Sequence, residues 1–269
     1  MILWVVALRP EAAPLIEARG LEAVSERTPW PLYRRDESEA LVISGVGRNR
    51  VARACAWVRA HLEPPLHAAW LNAGIAGHST GPVGRALLAY RVVEPTTGNS
   101  WFPPPLPGHR LAGDTVYTVD QPETEFARPG AYDMEASGFL ATTARWATSE
   151  VTQVVKVISD SPDEPASQLD RKRVEGLIGD RVADIESVAD ALSLCSSALE
   201  TRYAEPSGYE SLVGRWHFTV TQRRQLRRAL ERHAALSPRE VDTDSITARD
   251  AGEALRQLNE RVEALGVEI

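Results

Sequence analysis

The chain has 269 residues, of which 43% are hydrophobic and 25% charged. That is the size of one large domain, or of a domain with an appendage, and the composition excludes fibrous, disordered and low-complexity classes. Lys and Arg number 30 against 37 for Asp and Glu, a net charge of −7, so nucleic acid or an anionic membrane would meet only a local patch and not the whole surface.

The N-terminus, MILWVVALRPEAAPLIE, carries a short apolar run with no basic segment before it and no small-residue cleavage site after it. It reads as a buried strand over residues 2–8 and not as a signal peptide. No stretch approaches the length of a membrane span, which places the protein in the cytoplasm with no membrane partner. A second strand over 40–44 leads through Gly45-Val46-Gly47 into a helical pattern over 49–61. A third, over 68–72, runs into Gly74-Ile75-Ala76-Gly77 at what reads as a glycine turn. Strands are expected again over 85–93 and 151–159, and helices over 134–146 and 170–199. Strand, glycine turn and helix in alternation indicate an α/β fold with a largely parallel sheet, in which ligands sit at the carboxyl ends of the strands.

Residues 94–129 break this rhythm, with Asn99-Ser100-Trp101-Phe102 followed by three prolines and then Pro107-Gly108. The segment reads as a long loop, either functional or a tolerated insertion. Cys55 and Cys195 lie far apart in helical patterns with no CxxC pair, which argues against a disulfide framework and against a metal site. After Leu199 a turn at Glu205-Pro206-Ser207-Gly208 precedes two further helical patterns over 221–235 and 247–265. The expected organisation is therefore one domain over 1–199 and a helical C-terminal extension over 200–269.

Three carboxylates fall where strands end or helices begin: Glu11 after the first strand, Glu135 within Tyr132-Asp133-Met134-Glu135-Ala136-Ser137, and Asp160 at the end of Lys156-Val157-Ile158-Ser159-Asp160. Such positions converge on one rim of a parallel sheet. Each also has a structural use. Glu11 and Glu135 can complement a helix dipole, and Asp160 can cap a helix beside Ser161 and Pro162.

The ordered set Ala7-Leu8-Arg9-Pro10-Glu11, Ser44-Gly45-Val46-Gly47-Arg48, Asn72-Ala73-Gly74-Ile75-Ala76-Gly77, Asp133-Met134-Glu135-Ala136 and Ile158-Ser159-Asp160 resembles the purine nucleoside phosphorylase and methylthioadenosine/S-adenosylhomocysteine nucleosidase superfamily. The resemblance spans residues 1–199. It implies a three-layer fold, with a mixed, largely parallel twisted sheet flanked by helices, and cleavage of a purine nucleoside at its N-glycosidic bond without a cofactor. It further implies that Asp160, steadied by Ser159, protonates the purine. Glu135 would then hold the ribose hydroxyls with Met134 packed on the sugar, and Glu11 would activate water. Asn72, Gly74 and Ile75 complete the implied binding set. Asn72 takes the place of an Arg found in the phosphorylases, so the nucleosidase branch, an N-ribosyl hydrolase releasing free base from a 5′-modified adenine nucleoside, fits better than the phosphorylase branch. Asp133 stands where nucleosidases have another Glu or a nonpolar residue. With Thr118-Val119-Asp120-Gln121-Pro122, it resembles a branch acting on adenosylated hopanoid lipids. The family's members are usually oligomers, which implies a homo-oligomer here.

Tyr132, Trp101 and Phe102 are the candidates to stack on the base. Arg48 and Arg50 can either reach an anion or pair on the surface. In the extension, Gln222-Arg223-Arg224-Gln225-Leu226-Arg227-Arg228 places arginines outside an apolar stripe of Val220, Leu226, Leu230 and Ala234, which suits packing against the last helix better than nucleic-acid binding. A ligand-sensing module with the same pocket and little turnover is the alternative to an enzyme.

Overall fold

The computed structural model describes residues 1–266. The first strand, β1 (Ile2–Val6), is buried along its whole length. With a period of two, Ile2, Trp4 and Val6 enter one core and Leu3 and Val5 another. In chain order there follow α1 (Arg9–Arg19), β2 (Glu22–Ala23), β3 (Leu32–Arg35), β4 (Glu39–Ile43), α2 (Arg48–Leu62), β5 (Ala69–His78), β6 (Ala86–Val93) and β7 (Ser100–Trp101). Then come β8 (Ala112–Thr118), β9 (Ala131–Asp133), α3 (Ala136–Thr143), β10 (Thr152–Asp160), α4 (Arg171–Gly179) and α5 (Val182–Tyr203). Leu15 of α1, Ile178 of α4 and Ile185, Val188 and Leu192 of α5 fill the first core. Val51, Ala54 and Val58 of α2 and Phe139 and Leu140 of α3 fill the second. A sheet between two helical layers results, as the resemblance implies.

The sheet departs from expectation in closing part of itself into a barrel. It is mixed, with long parallel ladders β1–β4, β1–β5, β5–β10 and β6–β8 and a short one, β8–β9, while β5–β9, β6–β10, β6–β7, β2–β3 and β3–β4 are shorter antiparallel pairs. Strands β10, β6, β8, β9 and β5 also close on themselves through the β5–β10 pair, forming a small barrel, while β1, β4, β3 and β2 extend outward from β5. The strand that allows closure, β8, lies inside the segment read as loop. Its start, Ala112-Gly113-Asp114, is half exposed and lacks apolar alternation.

The glycine turn after the third strand is likewise not a turn. Gly74 and Gly77 lie within the ten-residue β5. Their missing side chains make room for carboxylates, since a Cβ on Gly74 would lie 2.8 Å from Glu11 Oε1 and one on Gly77 would lie 2.7 Å from Asp160 Oδ2. The helix expected over 170–199 is two, α4 and α5.

The chain divides into two compact units, Met1–Glu200 and Thr201–Ile269. In the second, α6 (Tyr209–Arg215), α7 (Val220–Leu236) and α8 (Ala251–Leu265) surround Leu212, Phe218, Leu226, Leu230, Ile246 and Leu258. Thr219 and Gln222 form a capping box at the start of α7, and the Asp250 carboxylate accepts from the Glu253 amide at the start of α8. The apolar stripe of α7 is Leu226, Ala229 and Leu230, packed in this core with α8. Val220 and Ala234 are exposed and do not belong to it.

Candidate active site

A cavity of about 260 Å³ opens at the carboxyl ends of β1, β5 and β10, lined by Glu11, Ile75, Tyr132, Asp133, Met134, Glu135, Ser159 and Asp160 together with apolar groups that include Leu8, Val46 and Val119. Among the described residues, none that lines it is cationic. Three of the carboxylates named from the sequence thus meet in one place although 149 positions separate Glu11 from Asp160.

Glu11 sits in the first turn of α1, where helix and strand ends together supply amides. Its Oε1 accepts from the Ile75 amide at 2.8 Å and its Oε2 from the Leu8 amide at 2.7 Å. Burial pushes its carboxyl above the ordinary range, and the Ile75 amide and the charge of Lys156 pull the other way.

Glu135 stands at the start of α3 and reaches across to the start of α2, where Oε1 accepts from the Gly47 amide at 2.8 Å. Gly47 has a φ of 106°, a conformation that favours glycine. Burial pushes the Glu135 carboxyl up to about 7, with Lys156 opposing and Asp133 adding to the shift.

Asp160 ends β10, and Ser159 Oγ donates to its Oδ1 at 2.5 Å. Burial raises this carboxyl too, against the Ser159 hydroxyl. Phe126 packs against the same stretch of β5, 3.0 Å from the place a Gly77 Cβ would occupy, and meets Tyr132 edge-on at 5.6 Å. The Tyr132 hydroxyl donates to the Arg128 carbonyl at 2.9 Å and accepts from its amide at 2.7 Å, tying down the segment before β9.

The remaining sequence candidates divide. Met134 and Ile75 line the cavity, and Gly74 lies behind Glu11. Asn72 is buried in β5 with its amide donating to the Val5 carbonyl at 2.9 Å, a contact that ties the sheet together away from the cavity lining. Of the three aromatics, Tyr132 faces the site, whereas Trp101 and Phe102 line a separate cavity of about 100 Å³ with Leu140 and Thr143. Arg48 pairs with Glu94 and with Asp120, and Arg50 lies over Gly45. Both are outside the cavity lining.

Sequence reading missed Lys156. It sits mid-strand in β10, an apolar run in which one long side chain looks like an outward-facing exception, yet it is 1% exposed. Its Nζ lies 2.8 Å from Asp133 Oδ2 and 4.0 Å from Glu135 Oε2. Among the described residues no group of His, Cys, Asp and Glu is disposed to hold a metal, and no helix is long and apolar enough to cross a membrane.

The arrangement defines a fold class, a barrel-centred α/β fold with a largely apolar cavity ringed by acids, and solved nucleosidases share that fold. The particular likenesses are to nucleosidases. The apo 5′-methylthioadenosine nucleosidase of Arabidopsis thaliana superposes with a TM-score of 0.59 at 16% identity, over 72% of this chain and 95% of that one. The Helicobacter pylori 5′-methylthioadenosine/S-adenosylhomocysteine nucleosidase gives 0.57 at 14% identity over 70% and 97%. The futalosine hydrolase of the same organism gives 0.57 at 15% identity over 70% and 97%. At these identities the likeness is one of fold. No family model matches the chain, and no curated protein matches its sequence.

Proposed function

We propose that this chain hydrolyses the N-glycosidic bond of a purine nucleoside, probed best with a 5′-modified adenosine. The observation that carries the reading is the convergence of Asp160, Glu135 and Glu11 on one cavity in whose lining, among the described residues, no side chain is cationic. Breaking the bond sends its electron pair to the purine and leaves positive charge on the ribosyl carbon. Buried carboxylates stabilise that charge. Asp160, with its affinity for a proton raised by burial, is suited to donate to the departing purine while Tyr132 packs against the ring. Glu135 accepts hydrogen bonds from the ribose hydroxyls. Glu11, its carboxyl fixed by two amides, takes the proton of the water that attacks the ribosyl carbon. Structural likeness to nucleosidases supports the same reading.

Water is favoured over phosphate as the nucleophile because a phosphate site needs guanidinium groups or converging amides, and Arg48 is paired with Glu94 and Asp120 while neither it nor Arg50 lines the cavity. The test is release of adenine from 5′-methylthioadenosine with and without phosphate, following the sugar product. Free sugar at a phosphate-independent rate supports hydrolysis. Ribose 1-phosphate would move the chain to the phosphorylases, and the absence of any base release would leave a binding module.

A further inference from the structure

Lys156 and its partner Asp133 are buried charged groups at this site that the proposed chemistry does not use. Lys156 lies opposite Gly74 in the β5–β10 ladder, and it does not line the cavity, whereas Asp133, Glu135 and Glu11 do. The charged groups facing it are those three carboxylates. Asp133 is fully engaged: besides Lys156 it accepts from Thr118 Oγ1 at 2.8 Å, from the Ala136 amide at 2.8 Å and from the Glu135 amide at 3.3 Å. The second oxygen of Glu135 has Lys156 as its nearest cation, at 4.0 Å.

We propose that Lys156, clamped on Asp133, is a positioning residue that favours the charged form of the Glu135 carboxyl against its burial and holds it aimed into the cavity. The inference rests on the reading of Glu135 as the group that grips ribose. Stability does not account for the pair, because a buried ion pair is commonly matched or bettered by apolar side chains of the same volume. Its effect falls on what lies beside it. With Asp133 saturated by four donors, the remaining field of the ammonium acts on Glu135 and Glu11, two acids whose burial favours their neutral forms. A cation behind the cavity wall opposes that tendency without meeting a substrate whose transition state is itself cationic. Burial alone would lower the affinity of Lys156 for its proton. Asp133 and Glu135 more than offset this, so the group stays charged.

Three variants test the role: Lys156→Arg, Lys156→Met, and Lys156→Met combined with Asp133→Asn, which keeps an acceptor for the Ala136 amide and guards against misfolding of the single variant. Two readouts are taken on the full chain. One is the pH profile of kcat/KM for adenine release from 5′-methylthioadenosine. The other is the titration of the Glu135 carboxyl by 13C NMR, assigned through Glu135→Gln, which needs no turnover. Lys156→Met is expected to move the Glu135 titration and the acidic limb of the profile upward by about one pH unit, a tenfold loss of activity on that limb. The double variant should move both in the same direction by less, and Lys156→Arg should restore them. Wild-type titration of Glu135 in both Met variants would overturn the proposal. If the wild type releases no base, the nucleosidase reading fails, and the carboxyl titration still decides whether Lys156 governs Glu135.

Discussion

A side chain on Gly74 and the carboxylate of Glu11 would occupy the same space: a Cβ there would stand 2.8 Å from Oε1, whose position is already fixed by the Ile75 amide. Gly74→Ala therefore expels Glu11 from its two-amide seat while leaving the extended backbone of β5 undisturbed. The expected loss is at least about tenfold in turnover, with roughly 1–3 kcal/mol of stability lost to overpacking. Kinetics and thermal melting on the same preparation check it. Full activity in a folded Gly74→Ala protein would remove Glu11 from the reaction.

Asp160→Asn preserves the shape and hydrogen bonding of the side chain and removes the proton. Turnover of a purine nucleoside should fall by about 10²–10⁴-fold, with much less effect on binding. Comparison of kcat with the Kd for an unreactive nucleoside analogue separates the two. A variant with near-normal kcat would leave Asp160 as a strand-end group bonded to Ser159.

Glu135 makes stability fall as pH rises toward neutrality. Its carboxyl is raised from an ordinary 4.5 to about 7, so between those values the folded protein holds a proton that the unfolded chain has lost. Stability from this group is consequently lost as pH rises through that window and is constant above it. Glu135→Gln abolishes the dependence, and relative to wild type the variant should gain on the order of 1–3 kcal/mol between pH 5 and pH 8. Denaturant melts at the two pH values measure this. The same variant should discriminate less than wild type against a 2′-deoxy substrate, because a partner of the missing hydroxyl has been altered.

Aromatic roles separate by position. Tyr132 lines the acid-ringed cavity and Phe102 a different one. Tyr132→Leu should weaken nucleoside binding by up to about tenfold, in keeping with the strength of a single aromatic contact. Phe102→Ser, at a side chain that is 66% exposed, should leave binding unchanged. Titration calorimetry with a nucleoside analogue distinguishes them, and equal effects would contradict the placement of the base.

The contrast case lies far from the cavity. Glu39 is fully buried and accepts from Trp4 Nε1 at 2.7 Å, Arg19 Nε at 2.8 Å and Arg35 Nη2 at 2.7 Å. Glu39→Ala leaves those donors without their acceptor and should cost about 3–5 kcal/mol, with turnover per folded molecule unchanged. Urea unfolding and active-site titration provide the two numbers.

These residues show how legibility varied along the chain. Glu11, Glu135 and Asp160 were readable because each follows or precedes a regular element and so has a fixed rim position. Asn72 entered the binding set through the resemblance alone, and its amide instead ties β5 to the Val5 carbonyl of β1, outside the cavity lining. Strand β8 escaped notice since its Ala-Gly-Asp start has neither alternation nor β-branched residues. Lys156 and Glu39 could not be found by pattern at all. Their burial depends on partners distant in sequence, Asp133 for one and Arg19 and Trp4 for the other, and a one-dimensional period carries no record of such pairing.

The forking of the sheet at β5 has a consequence in time. Trp70 and Thr152, neighbours in the β5–β10 ladder, are 82 positions apart, and joining segments so remote is among the slow events of folding. On the ribosome, β1, β4 and β5 emerge and can align before residue 160 exists, so the N-terminal half is made while Asp160 is still missing from the cavity. The barrel cannot close until β10 has been made, and the cavity, whose lining includes Ser159 and Asp160, is complete only then.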